Sequence, residues 1–273
     1  MHRLLNVRPK GGVRVLLGVV PLLIVALIYL GASTARHSEN HNDKLLPTVG
    51  AMAEQIHIMA FEPDPQTGTI PLWQDTGASL RRLGVGLAIA TATTLLLGLL
   101  IGVLPLARAG LGPLVAAIAV IPPIAVLPIL FITFGLGETS KIVLIVVGVT
   151  PFMVRDLASH IAAIPEEQIV KAQTLGASTW QIALRVALPQ AMPRLLQSLR
   201  LSLGPAWVFL ISAEAIASDV GLGYRVFLVR RYLAMDIILP YVAWIALLAV
   251  LFDLALDLIS RRAFPWAHPA RAR

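Results

Sequence analysis

The chain has 273 residues, of which 57% are hydrophobic and only 14% charged, well below the charged fraction of about a quarter in ordinary soluble domains. That balance excludes a soluble globular protein and indicates an all-α, polytopic membrane protein. The net charge of +7 comes from scattered basic residues rather than an arm or stripe, which argues against a nucleic-acid partner. The absence of cysteine excludes disulfides and thiolate chemistry.

Hydrophobic runs near 13–31, 83–104, 113–134, 142–158, 197–217 and 237–259 predict about six transmembrane helices, since about 19 residues make a helix of roughly 28 Å. The N-terminal segment, 1–31, carries the first span. A competing reading makes that run a signal peptide cleaved near Ser33-Thr34-Ala35, but the apolar stretch is longer than a signal core. Residues 32–82 read as a polar loop punctuated by Pro63, Pro65, Gly68 and Pro71, with an amphipathic surface helix over Leu45–Phe61. His37 and His41 stand four apart near Glu39 and Asp43. No further ligand accompanies them, so solvated histidines are the default over a metal site.

Residues 83–262 form the transmembrane core, and 263–273 a short tail. The fourth run is the weakest, because it is short and contains Pro151. Pro122, Pro123 and Pro128 interrupt the third span, and Gly204-Pro205 can kink the fifth. Such breaks are tolerated beside neighbouring helices or a water-filled cavity, so Pro122, Pro123, Trp207 and Glu214 are candidates for a solute pathway. Glu214 has two readings: a pathway group facing a polar or cationic solute, or a rim acid bonded to Ser212 or Ser218. An acid within the bilayer is expensive in either case. Thr91, Thr93 and Thr94 read as helix-packing residues. Asp253 and Asp257, four apart on one face, read as helix-end acids that pair with Arg261 and Arg262.

With six spans both termini share a side. Placing the N-terminus inside puts fourteen Lys and Arg on the cytoplasmic side against eight outside, the expected bias. The polar stretch 155–195 is then cytoplasmic. There Pro165 suits the first position of a helix, Glu166 and Glu167 suit its positive end, and Gly176 suits its C-terminal cap. Ser178 and Gln181 make a capping box for a second helix, which Pro189 and Pro193 close. A short helix held clear of the membrane can fit a groove on a soluble partner or lie on lipid.

The run VKAQTLGASTWQIALRVALP, 170–189, resembles the cytoplasmic loop signature of ATP-binding-cassette importer permeases: Glu-Ala-Ala, three residues, Gly, nine residues, Ile, one residue, Leu-Pro. Gly176, Leu188 and Pro189 match, and Val186 replaces the isoleucine. Ile164-Pro165-Glu166-Glu167, Leu175-Gly176-Ala177-Ser178 and Gly221-Leu222-Gly223-Tyr224 are also similar to this family, most of all to its nitrate, sulfonate, taurine and bicarbonate group. One departure is clear: the triplet reads Val170-Lys171-Ala172, without its acid, and Glu167 stands three residues earlier on the same face.

The resemblance implies a type I importer transmembrane domain in a bacterial inner membrane, with both termini cytoplasmic. Pro165, Glu166, Glu167, Lys171, Ala172, Leu175, Gly176, Ala177, Ser178, Leu188 and Pro189 would couple it to a cytoplasmic ATPase dimer. The implied partners also include a periplasmic binding protein, a second permease copy and membrane lipid. The solute would be small and polar: nitrate, a sulfonate such as taurine, bicarbonate, or a urea- or guanidine-like compound. No cofactor is expected on this chain, and ATP would be used by the partner; no phosphate loop, nucleophile elbow or HExxH occurs. The chain is not itself read as an enzyme. The alternative is an ion-gradient-driven secondary transporter, which should show repeated halves and mid-membrane charges.

Overall fold

The computed structural model describes residues 11–40, 43–65 and 67–268, and among these it is helical with no strand. α1 (Gly11–Glu39) stands away from the bundle; no residue of its most apolar stretch is buried. Only its far end is attached. Tyr29 Oη donates to the Pro47 carbonyl at 2.7 Å and Ser33 Oγ to that of Leu46 at 3.1 Å. Arg36 bonds Asp43 and holds that carboxyl below the usual carboxylate range. His37 Nδ1 lies 3.1 Å from the Ser33 carbonyl. His41 lies outside the described residues, among which no group of three metal-binding side chains occurs.

α2 (Val49–Phe61) begins at Val49 rather than Leu45, because Thr48 caps it: its Oγ1 accepts from the Ala51 N–H at 3.2 Å. α3 (Pro71–Val103) starts well before the apolar run at 83. Pro71 fits its first turn, where a missing N–H costs nothing. Asp75, Thr76, Ser79 and Arg82, which read as loop, are buried on its side.

The centre of the bundle is α3 against α6 (Glu138–Ala162). Gly86, Ala90, Thr94, Gly98 and Gly102 recur every fourth residue, so small side chains line one stripe of α3. A Cβ on Gly86, Gly98 or Gly102 would meet Ile145, Leu157 or Ile161 at 2.9, 2.8 and 2.6 Å. The pairs 86–145, 98–157 and 102–161 keep one constant register, so the two helices run parallel. The chain between them must therefore return from one end of the bundle to the other. It does so through α4 (Pro105–Ile118) and α5 (Pro123–Phe134), which are bent by 93°. The single third span read from sequence is thus a broken one. The fourth, read as weak, is a long helix buried along one face, in which Pro151 causes no interruption.

α7 (Glu166–Thr174) and α8 (Thr179–Ile182) follow, then α9 (Leu188–Ile216), α10 (Leu222–Val229) and α11 (Met235–Ala263). Pro189 and Pro193 do not close the second helix, contrary to the sequence reading. A π-helical turn over Ala183–Ala187 joins α8 to α9, and the helix runs on from Thr179 to Ile216. Pro189 lacks the N–H that would reach the Arg185 carbonyl, and its ring crowds that carbonyl. Widening the turn absorbs the misfit.

Candidate functional site

Two polar constellations mark the two ends of the bundle. At one end α7 projects as a short helix capped at its C-terminal end. Pro165 is its N-cap rather than its first helical residue, with Glu166 and Glu167 following in the first turn. Gly176 adopts φ +79° and the chain closes a Schellman motif: Ala177 N–H to the Ala172 carbonyl at 3.0 Å, and Gly176 N–H to that of Gln173 at 2.9 Å. Ser178 and Gln181 form the expected capping box, at 3.3 Å to Ser178 Oγ and 2.8 Å to Gln181 Oε1. Ser178→Ala is expected to cost about 1 kcal/mol of local stability, read as faster amide exchange over 179–182.

Beneath this corner, Ile164 packs on the core and Gln190 Nε2 donates to Gln168 Oε1 at 3.0 Å. The opposite face is free. Leu175 is 81% exposed and Val170 47%, and Glu166, Glu167, Val170, Lys171 and Thr174 line one open depression. Glu167 and Lys171 stand at i, i+4, the favourable order for a helical pair, yet no ion pair forms between them among the described residues.

The same end is tied together by arginines on α9. Arg194 bonds Asp156 of α6 through Nε at 2.9 Å. Arg200 holds Asp253 at 2.9 Å through both Nε and Nη2 and also bonds Asp257. Asp257 in turn accepts from Arg261 at 2.7 Å. The pair Asp257–Arg261 read from sequence is present, but the shared partner of Asp253 and Asp257 is Arg200, and among the described residues Arg262 makes no ion pair with either. The sequence could not show this, since Arg200 lies on another helix.

At the opposite end, the first turns of α3 and α6, the last turn of α9 and the loop into α10 enclose a buried charge cluster. Glu214 is fully buried. One of its oxygens accepts from Ser79 Oγ and Arg82 Nη1, both at 2.7 Å; the other accepts from Ser79 at 2.9 Å and from the Gly223 N–H at 2.8 Å. Arg82 also forks onto Glu138 at 2.7 and 2.6 Å and reaches the Val220 carbonyl at 2.7 Å. Asp75, fully buried, accepts from the Gly221 N–H at 2.9 Å, Arg225 Nε at 2.8 Å and Tyr241 Oη at 3.3 Å. With Lys141, which lies 3.7 Å from Glu138, three carboxylates face three buried or half-buried cations.

This arrangement corrects the partners assigned to Glu214. Ser212 bonds the Val208 carbonyl and Ser218 that of Val220. Sequence reasoning missed Asp75, Ser79, Arg82, Glu138 and Arg225 altogether, because charges flanking apolar runs read as solvated loop. A Cβ on Gly221, at φ +140°, would lie 2.5 Å from the Glu214 carboxyl carbon. That close approach is the one sequence signal available: the glycines at 221 and 223 let the backbone reach the acid.

Among the remaining candidates, Pro122 caps α5, Pro123 opens it, and Pro128 lies inside it. Trp207 is buried with no partner for its Nε1–H. Thr94 is buried on the packing stripe without a hydroxyl partner, and Thr91 bonds the Leu87 carbonyl at 2.7 Å.

A bundle of long apolar helices with a capped corner at one end and a buried ion network at the other has the architecture of a multispanning membrane subunit. Residues 94–265 match the family described as binding-protein-dependent transport system inner membrane component, and the chain belongs to that family. It is similar to the taurine transport system permease protein TauC of Escherichia coli, 38% identical over 71% of each chain. It is also similar to the nitrate import permease protein NrtB of Leptolyngbya laminosa, 27% identical over 71% of this chain and 69% of that one. Its fold matches that of a bacterial alginate ABC transporter, with a TM-score of 0.62 at 17% identity, over 93% of this chain and 96% of that one. The chain is therefore an inner-membrane ABC importer permease of the taurine, sulfonate and nitrate type.

Proposed function

We propose that this permease imports a small solute bearing a sulfonate, nitrate or similar oxoanion, driven by a cytoplasmic ATPase that grips α7. The observation that carries the coupling is the α7 corner, closed by the Schellman turn at Gly176, with Val170, Leu175 and the charged Glu166, Glu167 and Lys171 on its free side, and leading into a helix that runs from Thr179 to Ile216. A push on α7 passes through the Gly176 turn into α8, which the π turn joins to α9 as one unbroken helix. Arg194 and Arg200 hand it on to α6 and α11. ATP is bound and hydrolysed by the partner, and no cofactor is held here.

Two copies would enclose the pathway between them. The broken α4–α5 span with Pro122 and Pro123 and the free stripe of α9 (Leu201, Gly204, Pro205 and Val208) would face it. Glu214 supplies no argument for a cationic solute, because both of its oxygens are already occupied by donors. A periplasmic binding protein would deliver the solute at the end opposite α7, in keeping with the family's description and the charge bias that sets both termini inside.

The test replaces Gly176 by valine. A β-branched residue cannot hold φ +79° without strain, so the corner is expected to re-form with α7 turned away. ATP hydrolysis stimulated by the binding protein in proteoliposomes should fall at least about tenfold, equivalent to about 1.4 kcal/mol of coupling, while the permease still inserts and dimerises. Stimulation at the wild-type level in Gly176→Val would overturn the coupling role.

A further inference from the structure

The turn between α10 and α11 holds a side chain that the fold does not explain. Leu233, at φ +54°, is the one non-glycine residue among the described ones with a positive φ. It occupies the C′ position of a Schellman-type cap. The Leu233 N–H reaches the Arg230 carbonyl at 3.1 Å and the Ala234 N–H that of Val229 at 3.4 Å. Glycine or asparagine is the usual residue there, since a branched side chain strains the left-handed conformation. Burial does not compensate: Leu233 is 56% exposed and Tyr232 beside it 71%. Arg230 and Arg231 are also exposed, and neither pairs with a carboxylate among the described residues; Arg230 stacks over the Phe227 ring at 5.0 Å.

The mounting of this turn is rigid. α10 is pinned to the buried cluster by the backbone N–H groups of Gly221, Leu222 and Gly223 on Asp75, Ser79 and Glu214, and by Arg225 on Asp75. Beside the turn lies an open cleft of about 530 Å³, lined on this side by Tyr232, Ala234 and Asp236.

From these features we infer that Arg230–Leu233 is a preformed docking knob for a water-soluble protein partner. That surface would carry carboxylates opposite Arg230 and Arg231 and an apolar depression for Leu233. A lipid headgroup layer is fluid and accepts a leucine or tyrosine in any orientation, so it gives no return on a strained and rigidly mounted turn. A partner of fixed shape does, because preorganisation lowers the ordering cost of association. The inference rests on the importer reading above, in which the partner at this end is the solute-binding protein.

The experiment uses the full permease–ATPase complex in lipid nanodiscs and measures binding of the purified binding protein. Leu233→Gly relieves the backbone and removes the knob. The thermal midpoint of the permease is expected to hold or rise, while docking weakens about tenfold. Arg230→Glu/Arg231→Glu should weaken docking further and slow association, with a flatter dependence on salt. Wild-type docking with both variants unchanged would overturn this inference alone. An affinity that follows the anionic lipid content of the nanodisc, whatever residue stands at 233, would overturn it in favour of a bilayer contact. If the wild-type complex takes up no binding protein at all, the importer reading fails with it.

Discussion

Arg82→Met is expected to destabilise the permease by about 3–5 kcal/mol, the largest effect of any single substitution proposed for this chain. Arg82 is the hinge of the buried cluster: its guanidinium serves Glu138, Glu214 and the Val220 carbonyl at once. Methionine keeps much of the volume but leaves Glu214, fully buried, with an uncompensated charge. That penalty is mostly desolvation rather than lost attraction, so removing the whole set should cost less than removing one member. The triple variant Arg82→Met/Glu138→Gln/Glu214→Gln is therefore expected to recover much of the loss. Thermal unfolding in detergent, followed by the near-ultraviolet signal of Trp207 and Trp244, checks both. An Arg82→Met midpoint equal to that of the wild type would show that the cluster is not holding the end of the bundle.

Gly102→Leu is the second large effect. The closest approach of a Cβ at 102 is to Ile161 Cβ, at 2.6 Å. That atom sits next to the α6 backbone and cannot swing aside as a side-chain tip would. Overpacking of this kind costs about 1–3 kcal/mol, and here it also pries apart the two helices that set the register of the bundle. Gly110→Leu provides the control, because nothing lies within 4 Å of a Cβ at that position and leucine has the better helix propensity. Loss of the monodisperse species in Gly102→Leu, its persistence in Gly110→Leu, and partial rescue by Ile161→Ala would support tight α3–α6 packing. Equal behaviour of the two glycine variants would refute it.

The corner at 165–178 was legible because capping is local chemistry. Gly176, Ser178 and Gln181 interact within three or four residues of themselves, and the fold used them as their spacing suggested. The apolar runs were legible for the same reason of scale, since a helix that faces lipid must be apolar along its own length. Pro189 was misread because a proline inside a helical pattern is ambiguous. It can end a helix, or it can sit in one whose preceding turn is widened, and only the neighbouring packing selects between them. Asp75 and Arg82 were misread because a charge just outside an apolar run has no sequence mark to tell a buried partner from water. Their partners lie on other helices or in the loop before α10, more than fifty residues away in every case.

By itself, then, the sequence determined that the chain is built of long apolar helices able to span a membrane, and that it carries a capped corner at 165–178. Each depends on residues close together in the chain. The tertiary structure alone decided that α3 and α6 run parallel on a small-residue stripe, that the third span is broken, and that Glu214 closes an ion network instead of facing a solute. These depend on which helices meet, and in a membrane that choice is made by close packing and polar pairing, because burial of apolar surface no longer distinguishes one neighbour from another.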